Sequence, residues 1–218
     1  MSFIIDAATD SITENFSEDT GLSIQPENSE EPIEVTITGD APVEVTSGGL
    51  ADFISTGAGD ALVFTGDGDD TILGGTGNDI LRGGKGNDFM RGGLGSDYLF
   101  GGEGDDTING GLGAKEDGEL LPIGDTLKGG IGNDVFQFSV GPEGEFKGGE
   151  TDVITDFKAD GFADKIQLFG LGSTDAEAVT YNAEDGFIYI NGEKAIDIGT
   201  GQDVQFKVSE DGNNWELF

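Results

Sequence analysis

The sequence contains no cysteine and no histidine. The first absence removes disulfide staples, and the two together remove zinc sites of the Cys/His kind, haem ligation and every nucleophile-base pair built on either residue. Only hard oxygen ligands remain for a metal. Positive charge is scarce too: 10 Lys and Arg stand against 44 Asp and Glu, a net charge of -34. Such a chain repels nucleic acid and anionic membrane surfaces and attracts cations, so no nucleic-acid partner is expected. There is no run of about 18 apolar residues, and no membrane span is expected. The start, Met1-Ser-Phe-Ile-Ile-Asp6, lacks the basic region and the apolar length of a cleaved secretory signal. Any export is expected by another route.

What the chain has in abundance is glycine, 40 residues, beside only 35% hydrophobic residues. So little apolar surface does not offset the entropy of ordering the backbone, which makes a bound divalent cation the first partner to consider. The glycines are ordered into a nine-residue phrase, Gly-Gly-x-Gly-x-Asp-x-apolar-x. Its clearest copies are Gly74-Gly-Thr-Gly-Asn-Asp-Ile-Leu-Arg82, Gly83-Gly-Lys-Gly-Asn-Asp-Phe-Met-Arg91 and Gly92-Gly-Leu-Gly-Ser-Asp-Tyr-Leu-Phe100. The sixth-position acids are Asp70, Asp79, Asp88, Asp97, Asp106, Asp125 and Asp134. The eighth-position apolar residues are Ile72, Leu81, Met90, Leu99, Ile108, Leu127 and Phe136.

Glycine at the first, second and fourth positions permits turns closed to other residues and lets carbonyl oxygens converge beside the Asp carboxylate. Calcium takes six to eight such oxygens, more than one loop supplies, so two stacked loops are required. The last three residues of each copy are expected to form a strand with the eighth residue inward. Two copies then make one coil, and loops two copies apart stack. This pairs Asp70/Asp88, Asp88/Asp106 and Asp106/Asp134 on one edge, and Asp79/Asp97 and Asp97/Asp125 on the other, for roughly five calcium ions with one or two poorer ones at the ends. The other expected ligands are Gly66, Gly68, Gly75, Gly77, Asn78, Gly84, Gly86, Asn87, Gly93, Gly95, Gly102, Gly104, Asp105, Gly111, Gly113, Gly130, Gly132 and Asn133, with Asp60, Asp69, Asp152 and Asp156 as further acids. Without metal each edge is a ladder of like charges. With a dissociation constant near 10⁻⁴ M, calcium at ~1 mM stabilises the fold by about 1.4 kcal/mol per site, so the chain is expected to fold where calcium is plentiful and to unfold where it is scarce.

Four regions are expected. Residues 1–32 read as an acidic tail, with Phe3-Ile4-Ile5 as a short edge strand in the competing reading. Residues 33–64 read as metal-poor coils, because counting back in nines from Ile72 meets Val63, Ile54 and Val45 while the copies Thr38–Thr46 and Ser47–Ser55 have poor ligand sets and Thr56–Phe64 carries Ala61 at the acid position. Residues 65–138 form the calcium-binding roll, interrupted by an insertion at 114–123 whose apolar Leu120-Leu-Pro-Ile123 tip either folds back on the roll or docks elsewhere. The period stops after Phe138. Residues 139–218 form a cap, with Glu143–Gly149 a loop, an Asn191-Gly192 hairpin between Phe187–Ile190 and Glu193–Ile198, and a further strand at Val204–Val208.

These copies resemble the RTX (repeats-in-toxin) family of hemolysin-type calcium-binding repeats. The stretch Gly129-Gly-Ile-Gly-Asn-Asp-Val-Phe-Gln-Phe138, Asp152-Val-Ile-Thr-Asp-Phe157 and Asp164-Lys-Ile166 resembles the last repeat and C-terminal cap of serralysin-type proteins. The resemblance covers about 47–218. It implies an all-β fold, a right-handed parallel β-roll with an antiparallel C-terminal cap, and bound Ca2+. It also implies export without a cleaved N-terminal signal by a type I secretion transporter, which reads an uncleaved C-terminal signal of the kind Glu216-Leu-Phe218 suggests. Family members come mainly from Gram-negative bacteria, cyanobacteria included.

The enzymes of that family are not expected here. There is no His-Glu-x-x-His, no Gly-x-Ser-x-Gly and no apolar pore segment. The expected function is a secreted, non-catalytic structural module at the cell surface or in the extracellular matrix, with self-association as one property and extracellular polysaccharide binding as the alternative. Ice binding needs a regular array, and the third positions Asp67, Thr76, Lys85, Leu94, Glu103, Leu112 and Ile131 supply none.

Overall fold

A computed structural model describes residues 3–5, 11–16, 22–24, 31–112, 115–116, 119–120, 124–140, 151–159, 161–170, 178–208 and 214–218. The chain begins with β1 (Phe3–Ile5), β2 (Ser11–Phe16), β3 (Leu22–Ile24), β4 (Glu34–Gly39), β5 (Val43–Thr46), β6 (Phe53–Ser55) and β7 (Ala61–Asp67). The repeats supply β8 (Thr71–Thr76), β9 (Ile80–Lys85), β10 (Phe89–Leu94), β11 (Tyr98–Glu103) and β12 (Thr107–Leu112). The insertion holds β13 (Lys115–Glu116) and β14 (Glu119–Leu120), and the repeats resume with β15 (Thr126–Ile131) and β16 (Val135–Ser139). Beyond them lie β17 (Asp152–Ile154), β18 (Lys165–Phe169), β19 (Val179–Asn182), β20 (Phe187–Ile190), β21 (Glu193–Asp197), β22 (Phe206–Val208) and β23 (Asn214–Leu217).

The strands form two sheets. One runs β1-β3-β5-β7-β9-β11-β15-β17-β21-β20-β19 and the other β2-β4-β6-β8-β10-β12-β16-β18-β23-β22. From β1 to β10 each strand therefore pairs with the strand two ahead, in parallel, and β11 and β12 pair in the same way with β15 and β16 across the insertion: Met90 lies between Ile72 and Ile108, and Leu99 between Leu81 and Leu127. This is the all-β parallel roll that the repeat predicts. The eighth-position residues Val45, Ile54, Val63, Ile72, Leu81, Met90, Leu99, Ile108, Leu127 and Phe136 are all fully buried in one column between the sheets. Their neighbours along each strand face out, as the two-residue strand period requires.

Several boundaries differ from the sequence reading. The strands run past the ninth position into the next copy, with Gly75 paired to Gly93 and Gly84 to Gly102, because glycine carries the ladder on at the positive φ of these positions (102° at Gly75, 129° at Gly84). The roll does not stop at Phe138: β17 and β18 add to β15 and β16 in parallel, with Ile154 beside Leu127 and Ile166 beside Phe136. Longer connections break the nine-residue count there while Asp-x-apolar persists as Asp152-x-Ile154 and Asp164-x-Ile166. At the other end, β1, β2 and β3 lie within the span read as a tail, yet extend the roll in parallel through β3·β5 and β2·β4 pairing. An open parallel edge has unsatisfied N–H and C=O groups that such segments can take up.

At the C-terminal end the sheets turn antiparallel. The β20–β21 hairpin turns on Asn191 and Gly192, both at positive φ (51° and 85°), as an Asn-Gly turn requires. β23 lies antiparallel on β18 and buries Trp215 and Leu217. The insertion is a small hairpin, Lys115 opposite Leu120. Its apolar tip beyond Leu120 and the expected loop Glu143–Gly149 lie outside the described residues. Among the described residues no helix is long and apolar enough to cross a membrane.

Candidate metal centre

The turns between strands stack in two rows, one on each edge of the roll. At the second and fourth positions the backbone demands glycine: Gly84 has φ of 129°, and a Cβ there would stand 1.9 Å from the Gly66 carbonyl oxygen of the turn before. The first position is different. Gly74, Gly83, Gly92, Gly101, Gly110 and Gly129 are buried and none has positive φ. Their lack of a side chain makes room for an aspartate rather than permitting a turn. A Cβ on Gly83 would meet Asp88 Oδ2 at 2.0 Å, and one on Gly92 would meet Asp97 Oδ2 at 2.2 Å.

The sixth-position aspartates form a buried inner row on each edge. Asp70, Asp79, Asp88, Asp97, Asp106, Asp125 and Asp134 are each 1–2% exposed. The backbone N–H of each donates to Oδ1 of the aspartate one coil further on. Asp70 N–H reaches Asp88, Asp88 reaches Asp106, and Asp106 reaches Asp134, each at 2.9 Å. On the other edge Asp79 N–H reaches Asp97 at 2.9 Å and Asp97 reaches Asp125 at 2.8 Å. The pairs are those that the 18-residue coil predicts.

The second oxygen is the informative one. Oδ2 of Asp79, Asp88, Asp97, Asp106, Asp125 and Asp152 is buried and accepts no hydrogen bond. What lies near it is another acceptor. The point where a Cβ on Gly83 would stand is 2.0 Å from Asp88 Oδ2 and 2.9 Å from the Gly101 carbonyl oxygen. The same convergence recurs beside Gly74 (Asp79 and the Gly92 carbonyl), Gly92 (Asp97 and the Gly110 carbonyl) and Gly101 (Asp106 and the Gly129 carbonyl). Two oxygens with no donor between them repel, and a cation between them turns that repulsion into ligation.

The row's protonation behaviour has the same origin. Burial, then neighbouring acids, pushes Asp97 and Asp106 up to about 8, and burial pushes Asp88, Asp125 and Asp152 up to about 7 and Asp79 up to about 6. Burial also raises Asp70, against a hydrogen bond from the Asp52 N–H. Among the described residues no three acidic side chains gather closely enough to hold a metal by themselves. Carbonyl oxygens must complete the ligand set, which suits calcium and explains why so many glycines accompany so few acids per turn.

The fifth positions do something else. Asn78, Asn87, Asp105 and Asn133 are exposed, and so are Asp60 and Asp69. They form an outer row whose hydrogen bonds run the opposite way: Asp69 Oδ1 accepts from Asn87 N–H, Asn87 Oδ1 from Asp105 N–H, and Asp105 Oδ1 from Asn133 N–H, each at 2.8 Å. Asp60 Oδ1 accepts from Asn78 N–H in the same manner. These side chains tie one turn to the next from outside rather than lining the buried row. Asp156 also stands apart from it, its carboxylate taking the N–H groups of Gly129 and Gly130. Asp152 does join the inner row, with Oδ1 accepting from Asp125 N–H at 2.8 Å.

Two row members escaped the sequence reading. Asp52 is the sixth residue of the Ser47–Ser55 copy, which is therefore not short of its acid; it is buried and accepts from Ile33 N–H. Asp164 accepts from Asp134 N–H. Asp52 lies 18 residues before Asp70, so counting by whole coils finds it; Asp164 follows Asp134 by 30 and is marked only by the Asp-x-apolar phrase. Both carboxylates have backbone N–H groups on each oxygen, Gly48 and Lys158 supplying the second bond. Gly113 lies outside the described residues.

Stacked turns with paired acceptor oxygens define a metal-binding repeat solenoid. Comparison with protein families finds four copies of the RTX calcium-binding nonapeptide repeat, at residues 46–81, 64–99, 82–114 and 124–137. The chain thus carries RTX repeats, and they are calcium-binding repeats. No curated protein matches the chain.

Proposed function

We propose that this is a secreted protein whose roll is folded by extracellular calcium and which serves as a non-catalytic structural module at a cell surface or in an extracellular matrix. The observation that carries the reading is the repeated meeting of an open Asp Oδ2 with a first-position glycine carbonyl, an arrangement that is unfavourable until a cation enters. About five ions fit the two rows at one ion between stacked turns, at Asp70/Asp88, Asp88/Asp106 and Asp106/Asp134 on one edge and Asp79/Asp97 and Asp97/Asp125 on the other. Export through a type I transporter is what the resemblance of Gly129–Ile166 to serralysin-type caps implies. Calcium scarcity inside a cell then keeps the roll open until the chain is outside.

The test is calorimetric titration with calcium beside circular dichroism in chelator. Strand signal rising with calcium and a stoichiometry near five support the reading; a spectrum indifferent to both calcium and chelator removes it. Light scattering over the same titration addresses self-association, for which exposed Ile80, Phe89, Tyr98 and Ile131 offer apolar surface. A particle that stays monomeric throughout would exclude it.

A second reading, polysaccharide binding, is favoured by one surface. The outer face of the first sheet has a groove of about 660 Å³ floored by Gly66, Gly84, Gly102 and Gly130. Along it Phe64, Arg82, Phe100 and Lys128 follow one another in adjacent strands, with Arg82 5.4 Å from the Phe64 ring and Lys128 4.8 Å from the Phe100 ring. Aromatic faces for sugar rings and cations for uronate groups alternate at one strand spacing, ~4.8 Å. Binding to immobilised acidic and neutral glycans in calcium checks this; loss of binding in Phe100→Ala supports it, and no retention of any glycan by the wild type rejects it.

A further inference from the structure

The first position of the repeat changes character along the chain. From residue 74 it is glycine, but in the three preceding copies it is Ser47, Thr56 and Thr65. Each of these hydroxyls donates to the carbonyl of the first residue one coil further on. Ser47 Oγ bonds Thr65 O at 2.9 Å, Thr65 Oγ1 bonds Gly83 O at 3.0 Å, and Thr56 Oγ1 bonds Gly74 O. The acceptors are thus the same carbonyls, by position in the repeat, that in later turns face an open Asp Oδ2. Thr56 and Thr65 are 4% and 0% exposed, so these are interior bonds.

Charge changes at the same boundary. On the edge of Thr56 the sixth positions are Val43 and Ala61, with no acid before Asp79. On the edge of Ser47 and Thr65, both oxygens of Asp52 are taken by N–H groups. Asp70, the first acid of the glycine-rich stretch, takes the Asp52 N–H on Oδ1, and the Thr65 hydroxyl holds the Gly83 carbonyl that its Oδ2 would otherwise meet. The first-position carbonyls that face an open carboxylate after residue 74 therefore have a hydroxyl donor before it, and of the sixth-position acids there Asp52 is fully paired while Asp70 Oδ2 stays open. Val35, Ile37, Val43, Val45, Ile54 and Val63, all buried and β-branched, supply the core of this part.

We propose that Ser47, Thr56 and Thr65 close the early turns in place of metal, so that coils 33–73 form without calcium and act as the template on which the glycine-led coils fold when calcium arrives. In a stacked repeat each unit contacts only its neighbours, and adding a coil to an existing edge avoids the cost of starting a new one. A metal-free segment at one end gives calcium-driven growth a fixed start and a direction, from residue 74 towards the cap. The proposal rests on the calcium reading above.

Hydrogen exchange of the full chain, read by mass spectrometry in chelator and then in calcium, separates the two ideas. In chelator, amides of β5 to β8 should exchange about tenfold or more slowly than those of β9 to β16, and calcium should bring the second group to the level of the first. If calcium protects the whole roll but β5 to β8 are as open as the rest in chelator, or if the cap alone is protected there, the template is refuted and the calcium reading stands. If calcium protects nothing, both fall. Thr65→Ser keeps the hydroxyl and should leave the chelator pattern unchanged. Thr65→Gly should lose protection of β7 in chelator and bind one more calcium ion, because Asp70 Oδ2 and the Gly83 carbonyl then meet with no donor between them, as in later turns. An unchanged ion count together with unchanged protection in Thr65→Gly would overturn the role given to the hydroxyl.

Discussion

Asp97 occupies the middle of its row, with Oδ1 taking the Asp79 N–H and Oδ2 held near the Gly110 carbonyl. An amide in its place keeps the first bond and offers an N–H₂ donor to the carbonyl, so Asp97→Asn should have opposite effects in the two states. In chelator it should stabilise the roll by about 1–2 kcal/mol, the worth of a hydrogen bond gained where a buried acceptor stood unpaired. In calcium it should bind one ion fewer and unfold at lower urea; urea midpoints in both buffers check the crossing. The pH response has a definite sign. The row's carboxyls titrate near 6 to 8 in the fold against a reference of 3.8, so the folded state binds more protons than the unfolded chain. Metal-free stability is therefore highest at low pH and is lost as pH rises through 6 to 8. Circular dichroism in chelator should show more strand at pH 5 than at pH 8.5, and equal spectra would mean that the row is not buried without metal. At this scale the sequence was legible where spacing carried the information. The sixth-position acids and their partners follow from counting, and Asp52 follows from the same count taken one coil further. The division of labour between Asp88 inside and Asn87 outside was not legible, because both are oxygen-bearing and adjacent; only the alternation of faces separates them.

Each strand contributes one eighth-position side chain to the interior, so a single truncation removes a whole rung of core. Leu99→Ala leaves a cavity between Leu81 and Leu127 and should cost about 2–5 kcal/mol in calcium, measured by thermal or urea unfolding. The capping strand β23 has a different task. It covers β18, whose far edge would otherwise stand open with Trp215 and Leu217 withdrawn. A chain ending at Val208 should associate through that edge, visible as a rise in scattering mass with calcium beyond that of the full chain. Strand placement within the repeats was readable from the eighth position alone, and the Asn191-Gly192 hairpin from its turn residues. The coils at β17 and β18 were hidden because their connections are longer than six residues. A period is a statement about loop length as much as about strands, and when the loop lengthens the strand loses its signal while keeping its place.

At the scale of the molecule, ten inter-strand steps of ~4.8 Å make the eleven-stranded sheet about 50 Å long, and net charge of -34 is spread over it. Chain expansion by that charge and contraction by calcium should be large: roughly 17 Å is the radius of gyration of a compact chain of this length and roughly 50 Å that of an unfolded one. Small-angle scattering through a calcium titration should move between these limits, with the loaded form somewhat above the compact value because the roll is elongated. The two-copy coil also has an inherited consequence. Because alternate copies belong to opposite sheets, adding or deleting a single nonapeptide would transfer every later strand to the other face, breaking the Phe64, Arg82, Phe100, Lys128 column and joining unlike outer surfaces. Gain or loss of a pair, the 18-residue step seen along both aspartate rows, leaves each face continuous. The gene can lengthen or shorten this protein smoothly only in double repeats, so the unit of duplication is the coil and not the motif.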